Sequence, residues 1–190
     1  DSDTTFFQAV QSIYEKYSSS PMSAQAGFVL ADYQYDAGDY VEALARCRKE
    51  IERFPDSRGA VNCRALESRI LQKELSLTVE ESMPPDAPFL ISAGFRNIRD
   101  VHFRIMRMPS DALFSDRRGY RSARERLEDL LGGDAVNEWS QTLPETDDYK
   151  EHRVDLRGPA LPLGTYMLFM SHGADFSLDE NAIAYAWLRV

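Results

Sequence analysis

Leu75-Ser-Leu-Thr-Val79, Pro88-Phe89-Leu-Ile-Ser-Ala-Gly-Phe95 and Val101-His-Phe-Arg-Ile105 are the runs in which the apolar pattern of this chain changes period. Leu75, Leu77 and Val79 alternate with polar residues. After the break Met83-Pro-Pro-Asp-Ala-Pro88, Phe89, Ile91, Ala93 and Phe95 alternate again, and Val101, Phe103 and Ile105 do so against His102, Arg104 and Met106. Period two puts successive side chains on opposite faces of a strand. Three such runs between Pro- and Asn-containing turns predict three strands of one antiparallel sheet with one buried face. Everything before Leu75 has a helical period instead. The expected fold class is therefore α+β: helical hairpins first, then an antiparallel β-sandwich with a helical insertion.

Working back from that switch, Phe6, Val10, Ile13 and Tyr17 recur at i, i+4, i+7 and i+11 and predict one buried helix face. Ser18-Ser-Ser-Pro21 ends that helix. A second runs from about Ser23 to Asp36, with Phe28, Leu30, Ala31 and Tyr35 as its apolar content. Asp39 and Glu42 predict a capping box at the start of a third, whose inner face is Tyr40, Leu44, Cys47 and Ile51. Phe54-Pro-Asp-Ser57 stops it, and a fourth helix turns Cys63, Leu66 and Ile70 inward.

With Ala24 as first position of a 34-residue unit, Ala31, Ala43 and Pro55 occupy the eighth, twentieth and thirty-second places. Small residues there let two helices approach, and the proline ends the second. The run Gly38-Asp-Tyr-Val-Glu-Ala43 resembles a tetratricopeptide repeat. The match departs from that pattern at Gly27, where a large aromatic is usual, and at Gln34, where tyrosine is usual. A concave repeat surface binds peptides, and the candidate groove residues are Gln25, Asp32 and Tyr35. The simpler reading is that so short an array caps or spaces its neighbour.

Working forward from the switch, Met108-Pro-Ser-Asp111 leaves the sheet, and Ala123, Leu127, Leu130 and Leu131 predict an amphipathic helix ended by Gly132-Gly133. Val136 and Trp139 predict a short second helix, giving an insertion near 117–142. Arg117, Arg118, Arg121, Arg124 and Arg126 alternate with Glu125, Glu128 and Asp129, a charge-paired solvated face. Val154 and Leu156, then Tyr166, Leu168 and Met170, then Ile183, Tyr185 and Trp187 predict further strands. The composition of the last predicts burial on both sides, and so a sandwich that is complete or nearly so.

The 190 residues allow one large or two small domains, and the expected division is 1–73 helical and 74–190 sandwich. A net charge of −9 argues against nucleic acid as partner. No apolar run reaches the roughly 18 residues of a membrane helix. The start without Met and the strand-like end suggest a fragment, so that a targeting signal or membrane anchor would lie outside it. Cys47 and Cys63 are too few for a disulfide framework; they read as small core residues on packed helices or as one disulfide.

His102, His152 and His172 are each isolated in sequence, and no nucleophile elbow, phosphate loop, dinucleotide fingerprint or metal-helix spacing occurs. The paired carboxylates Glu80-Glu81 and Asp147-Asp148 read as solvated. The expectation is a chain that is not an enzyme, with no catalytic, cofactor-binding or metal-ligating residue and no cofactor.

One set of short motifs goes beyond generic structure: Asn62-Cys-Arg-Ala-Leu66, Leu75–Val79, Pro88-Phe89, Phe95-Arg-Asn-Ile98 leading to Val101–Ile105, Trp139, Leu143-Pro144, Asp148-Tyr149 and Leu161-Pro-Leu-Gly-Thr-Tyr166. Over residues 50–190 this resembles the N-terminal region of a bacterial branch of the alpha-2-macroglobulin family. That resemblance implies a helical segment before a first macroglobulin-like sandwich, in a long periplasmic or envelope-associated protein that traps proteases by a cleaved bait region and, in many members, a thioester. Neither Cys47 (followed by Arg-Lys-Glu) nor Cys63 (followed by Arg-Ala-Leu) matches a Cys-Gly-Glu-Gln thioester motif, so no functional residue of the family carries over. The implied role is scaffold, with proteases as partners of the full-length protein. The alternatives are a peptide-binding helical-repeat adaptor of the cell envelope with an appended sandwich, and a non-catalytic accessory domain of an envelope hydrolase or polysaccharide-processing protein.

Overall fold

The computed structural model describes residues 2–80, 82–108 and 122–190. It is an α+β chain of two units, one comprising Asp1–Gln72 with Thr146–Lys150, the other Lys73–Glu145 with Glu151–Val190. The basic segment with Arg117, Arg118 and Arg121, and residues 109–111 of the break after Met108, lie outside the described residues.

The first unit holds α1 (Ser2–Lys16), α2 (Ser23–Asp36), α3 (Tyr40–Arg53) and α4 (Arg58–Ile70). The eighth- and twentieth-place residues Ala31 and Ala43 are fully buried beside Leu44, Cys47, Cys63, Leu66 and Ile70. Gly59 allows the closest approach: a Cβ there would lie 2.2 Å from the Ala24 carbonyl carbon. Ser57 caps α4, its hydroxyl accepting from the Ala60 amide at 3.1 Å. Tyr149, with φ +58°, packs on the same core.

Two expectations in this unit are corrected. Asp39 precedes α3 but makes no side-chain cap bond; its φ of −90° and ψ of 62° lie outside the extended region usual for a capping residue. On α1 the predicted inner face is the outer one. Phe6, Ile13 and Tyr17 are each more than half exposed, whereas Tyr14 is buried and Phe7 leans on Tyr33, ring centroids 5.0 Å apart. A polar contact fixes this rotation: the Tyr14 hydroxyl donates to Glu50 Oε1 at 2.5 Å.

The second unit holds β1 (Glu74–Val79), β2 (Leu90–Arg96), β3 (Asp100–Arg107), α5 (Ala123–Leu131), β4 (Ala135–Thr142), β5 (His152–Arg157), β6 (Thr165–Ser171) and β7 (Ile183–Arg189). Among the described residues, β1-β2-β5 form one antiparallel sheet and β4-β3-β6-β7 a second. Ile91, Ala93 and Phe95 from one sheet and Val101, Phe103, Ile105, Tyr166, Leu168, Met170 and Leu188 from the other fill the space between them. Apart from Leu188, which lies on the face opposite the predicted Ile183, Tyr185 and Trp187, these are the alternating residues read from the sequence, but β3 does not share a sheet with β1 and β2. After Arg96 the chain turns through Asn97, at φ +57°, and buries Ile98 as it crosses to the opposite layer.

The helix expected at Val136 and Trp139 is strand β4. It pairs with β3 over Asp100–Met106, and Trp139 stacks on Phe103 with centroids 4.7 Å apart and planes 10° apart. Gly132 and Gly133 end α5, so the apolar pair behind them joins a ladder. α5 begins with a capping box, Ser122 to Glu125, and lays Leu127, Leu130 and Leu131 over Met106, Met167 and Phe169 on the outer face of the second sheet. Arg124 pairs with Glu128 at 2.8 Å and Asp179 at 2.7 Å, as a charge-paired face requires. The last strand is not buried on both sides. Leu188 is sealed in the core, while Tyr185 and Trp187 are 49% and 44% exposed on the other face.

Candidate binding face of the helical unit

Gln25, Asp32 and Tyr35 are spaced by seven and three residues, which puts them on one face of α2. Two of them meet α4. The Asn62 amide donates to Gln25 Oε1 at 3.4 Å, and the Arg69 guanidinium lies 4.4 Å above the Tyr35 ring. Tyr40 closes on Tyr35 from the start of α3, centroids 5.0 Å apart. All three predicted residues are half-buried. The face is therefore a row on α2 backed by Asn62 and Arg69, themselves seven residues apart on α4.

The sequence reading missed Asn62 and Arg69 as site residues. A signal for one was present: adding the 34-residue period to Tyr35 gives Arg69. Chemically, two side-chain amides offer donors and acceptors matched to a peptide backbone. At the other end the Arg69 guanidinium stacks on the Tyr35 ring.

A second polar group in this unit is turned inward. Glu50 is fully buried and is held by the Tyr14 hydroxyl and by Arg53 Nη1 at 3.4 Å. Arg53 also donates to the Tyr14 hydroxyl at 2.9 Å and to the Ser18 carbonyl. Burial, then the hydrogen bond and charge of Glu50, push the Tyr14 hydroxyl above its ordinary pKa. Gly27 makes room for this group: a Cβ there would fall 2.6 Å from Glu50 Cγ. The departure from the repeat pattern at Gly27 thus has a steric cause. The network is used up in holding α1 on α3.

In the sandwich unit a groove of about 420 Å³ runs between the edges of β1 and β7, lined by Leu77, Val79, Ser82, Thr165, Trp187 and Arg189. His172 Nε2 lies 2.7 Å from Lys73 Nζ. Burial, then Lys73 and His102, depress the His172 pKa. His152 leans on Phe95, centroids 6.0 Å apart. Among the described residues no three His, Cys, Asp or Glu side chains come close enough to hold a metal ion. No described helix is long and apolar enough to cross a membrane.

No family model matches the chain, and no curated protein matches it. Similar solved structures include the CARDB domain of the PF1109 protein from Pyrococcus furiosus as a crystal structure, 8% identical over 63% of this chain and 92% of that one, with a TM-score of 0.35. The solution structure of the same domain is 9% identical over 62% of this chain and 93% of that one, TM-score 0.32. The bacterial hydrophobin BslA is 14% identical over 63% of this chain and 96% of that one, TM-score 0.28.

Proposed function

We propose that this chain is a non-catalytic scaffold segment of a bacterial alpha-2-macroglobulin-like protease-trapping inhibitor, located in the periplasm or envelope. In this reading proteases are partners of the whole protein, and any membrane contact is made by an anchor outside these residues. The observation that carries the reading is the order of the two units. Helix pairs packed through Ala31, Ala43 and Gly59 are followed directly by a two-sheet sandwich whose core is large and apolar, which is the order the motif resemblance implies. Such a core resists deformation, as a domain that positions a trap must.

An antibody against this chain, used on fractions of the source cells before and after limited proteolysis, tests the reading. An envelope species several times larger than 21.7 kDa, cut first at one discrete site, is expected. A small cytosolic species overturns it.

The row Gln25–Asn62 and Tyr35–Arg69 favours a second reading, in which the helical unit captures an extended peptide. Selection from a displayed peptide library on the wild-type chain, repeated on Asn62→Ala/Arg69→Ala, separates the two. Enriched peptides that lose at least tenfold in affinity for the double variant support capture. Equal binding to both chains excludes this face.

A further inference from the structure

The two cysteines lie on different helices yet share one site. Cys47 on α3 and Cys63 on α4 are both fully buried in the same cluster, among Ala31, Ala43, Leu44 and Leu66. Small neighbours bring α3 and α4 together at this level, so both thiols sit in one buried cluster between the two helices. Both are free thiols.

We infer that Cys47 and Cys63 are a modification site: they close to an intramolecular disulfide by exchange with a disulfide-bearing oxidant, stapling α3 to α4. The electron balance is that of ordinary exchange. The Cys63 thiolate attacks one sulfur of the oxidant RS–SR, that bond breaks, and RS⁻ leaves and takes up a proton. Cys47 then gives up its proton and attacks the Cys63 sulfur of the mixed disulfide. The Cys47–Cys63 bond forms and the second RS⁻ leaves. Two protein thiols are oxidised by two electrons, and one external disulfide is reduced to two thiols that carry the two protons. Interaction between the two buried thiols raises the pKa of Cys47 and lowers that of Cys63, so Cys63 attacks first.

Burial sets the kinetics. A sealed thiol meets an oxidant only when the α3–α4 hairpin opens locally, so exchange is slow in water and faster in mild denaturant. Once closed, the bond links a short loop of the unfolded chain and stabilises the helical unit. This inference stands independently of the scaffold and peptide readings.

The test uses the whole chain and oxidised glutathione as probe. After incubation, the protein is unfolded, alkylated and weighed. Two protected thiols with loss of two hydrogens, and a helix-detected melting temperature roughly 10 °C above that of the dithiothreitol-reduced protein, support the staple. The temperature difference must vanish in Cys47→Ser. Comparing the two redox forms of the wild-type chain avoids dependence on variants that fold poorly. Two alkylatable thiols after oxidation, glutathione adducts without an internal bond, or a disulfide with no gain in melting temperature would each overturn it.

Discussion

The two units of this chain solve the same packing problem with different residues. The sandwich is filled by volume: Phe95, Phe103, Ile105, Tyr166, Leu168 and Met170 come from two sheets and leave almost no exposed area. The helical unit is filled by closeness. Gly59 touches the α2 backbone, Gly27 accommodates Glu50, Ala31 and Ala43 face partner helices, and a buried carboxylate, a phenol and a guanidinium fix the rotation of α1. Large side chains tolerate some adjustment of their neighbours. Backbone contact and directional hydrogen bonds do not. Specificity in the first unit should therefore rest on a few small or polar positions, and stability in the second on many large ones.

Both tryptophans, Trp139 and Trp187, belong to the sandwich unit, so indole fluorescence reports that unit while far-ultraviolet circular dichroism is weighted to α1–α4. The largest effect is expected from Phe103→Ala. Losing the ring stacked on Trp139 should cost about 3–5 kcal/mol and shift the fluorescence-detected transition in urea. A loss seen equally in the helical signal would break the comparison. Gly59→Ala comes next. Its methyl meets the Ala24 backbone, and the strain should exceed the ~1 kcal/mol that alanine returns as helix propensity. A net loss of about 2 kcal/mol in the helical transition is expected, and a stabilised variant would refute packing by backbone contact.

Tyr14→Phe should lower the same transition by about 1 kcal/mol, because it removes one of the donors to Glu50. Combined with Gly27→Ala it should be non-additive, since both changes act on that carboxylate; simple additivity would place the two outside one network. The smallest effect concerns His172. Its folded pKa lies below the ordinary 6.5, so the folded chain sheds a proton that the unfolded chain keeps. That contribution is present above about pH 6.5 and is lost as pH falls through the lower folded value. The stability difference between wild type and His172→Gln should therefore decline on acidification, as urea titrations at several pH values would show; a rising difference would reverse the sign assigned to this group.

What was legible in the sequence was facing, and what was not was partnership. The alternation in Ile91-Ser-Ala-Gly-Phe95 and Val101-His-Phe-Arg-Ile105 identified the buried residues correctly. A period of two says which side chains share a face and nothing about which strand lies alongside, so β3 was assigned to the wrong sheet. For Val136 and Trp139 a spacing of three suggested a helix, and the ladder to β3 overrode it. On α1 the periodic stripe Phe6, Val10, Ile13 and Tyr17 points to the wrong face, because the face carrying Tyr14 packs instead, its hydroxyl reaching a carboxylate 36 residues away. In the candidate face, the repeat register places Gln25, Asp32 and Tyr35 on one side of α2, whereas the contacts with Asn62 and Arg69 depend on a neighbouring helix.

The pairing of Gly27 with Glu50 has a consequence for how this protein varies over time. The missing side chain and the buried acid occupy one volume, so neither position drifts alone. A lineage that acquires a bulky residue at position 27 must shorten or displace the acid at position 50, and then Tyr14 and Arg53 lose their shared acceptor. These four positions form a unit of inheritance. Aligned descendants of this chain should keep the whole quartet or replace it together, with a larger apolar residue at 27 accompanying a small one at 50.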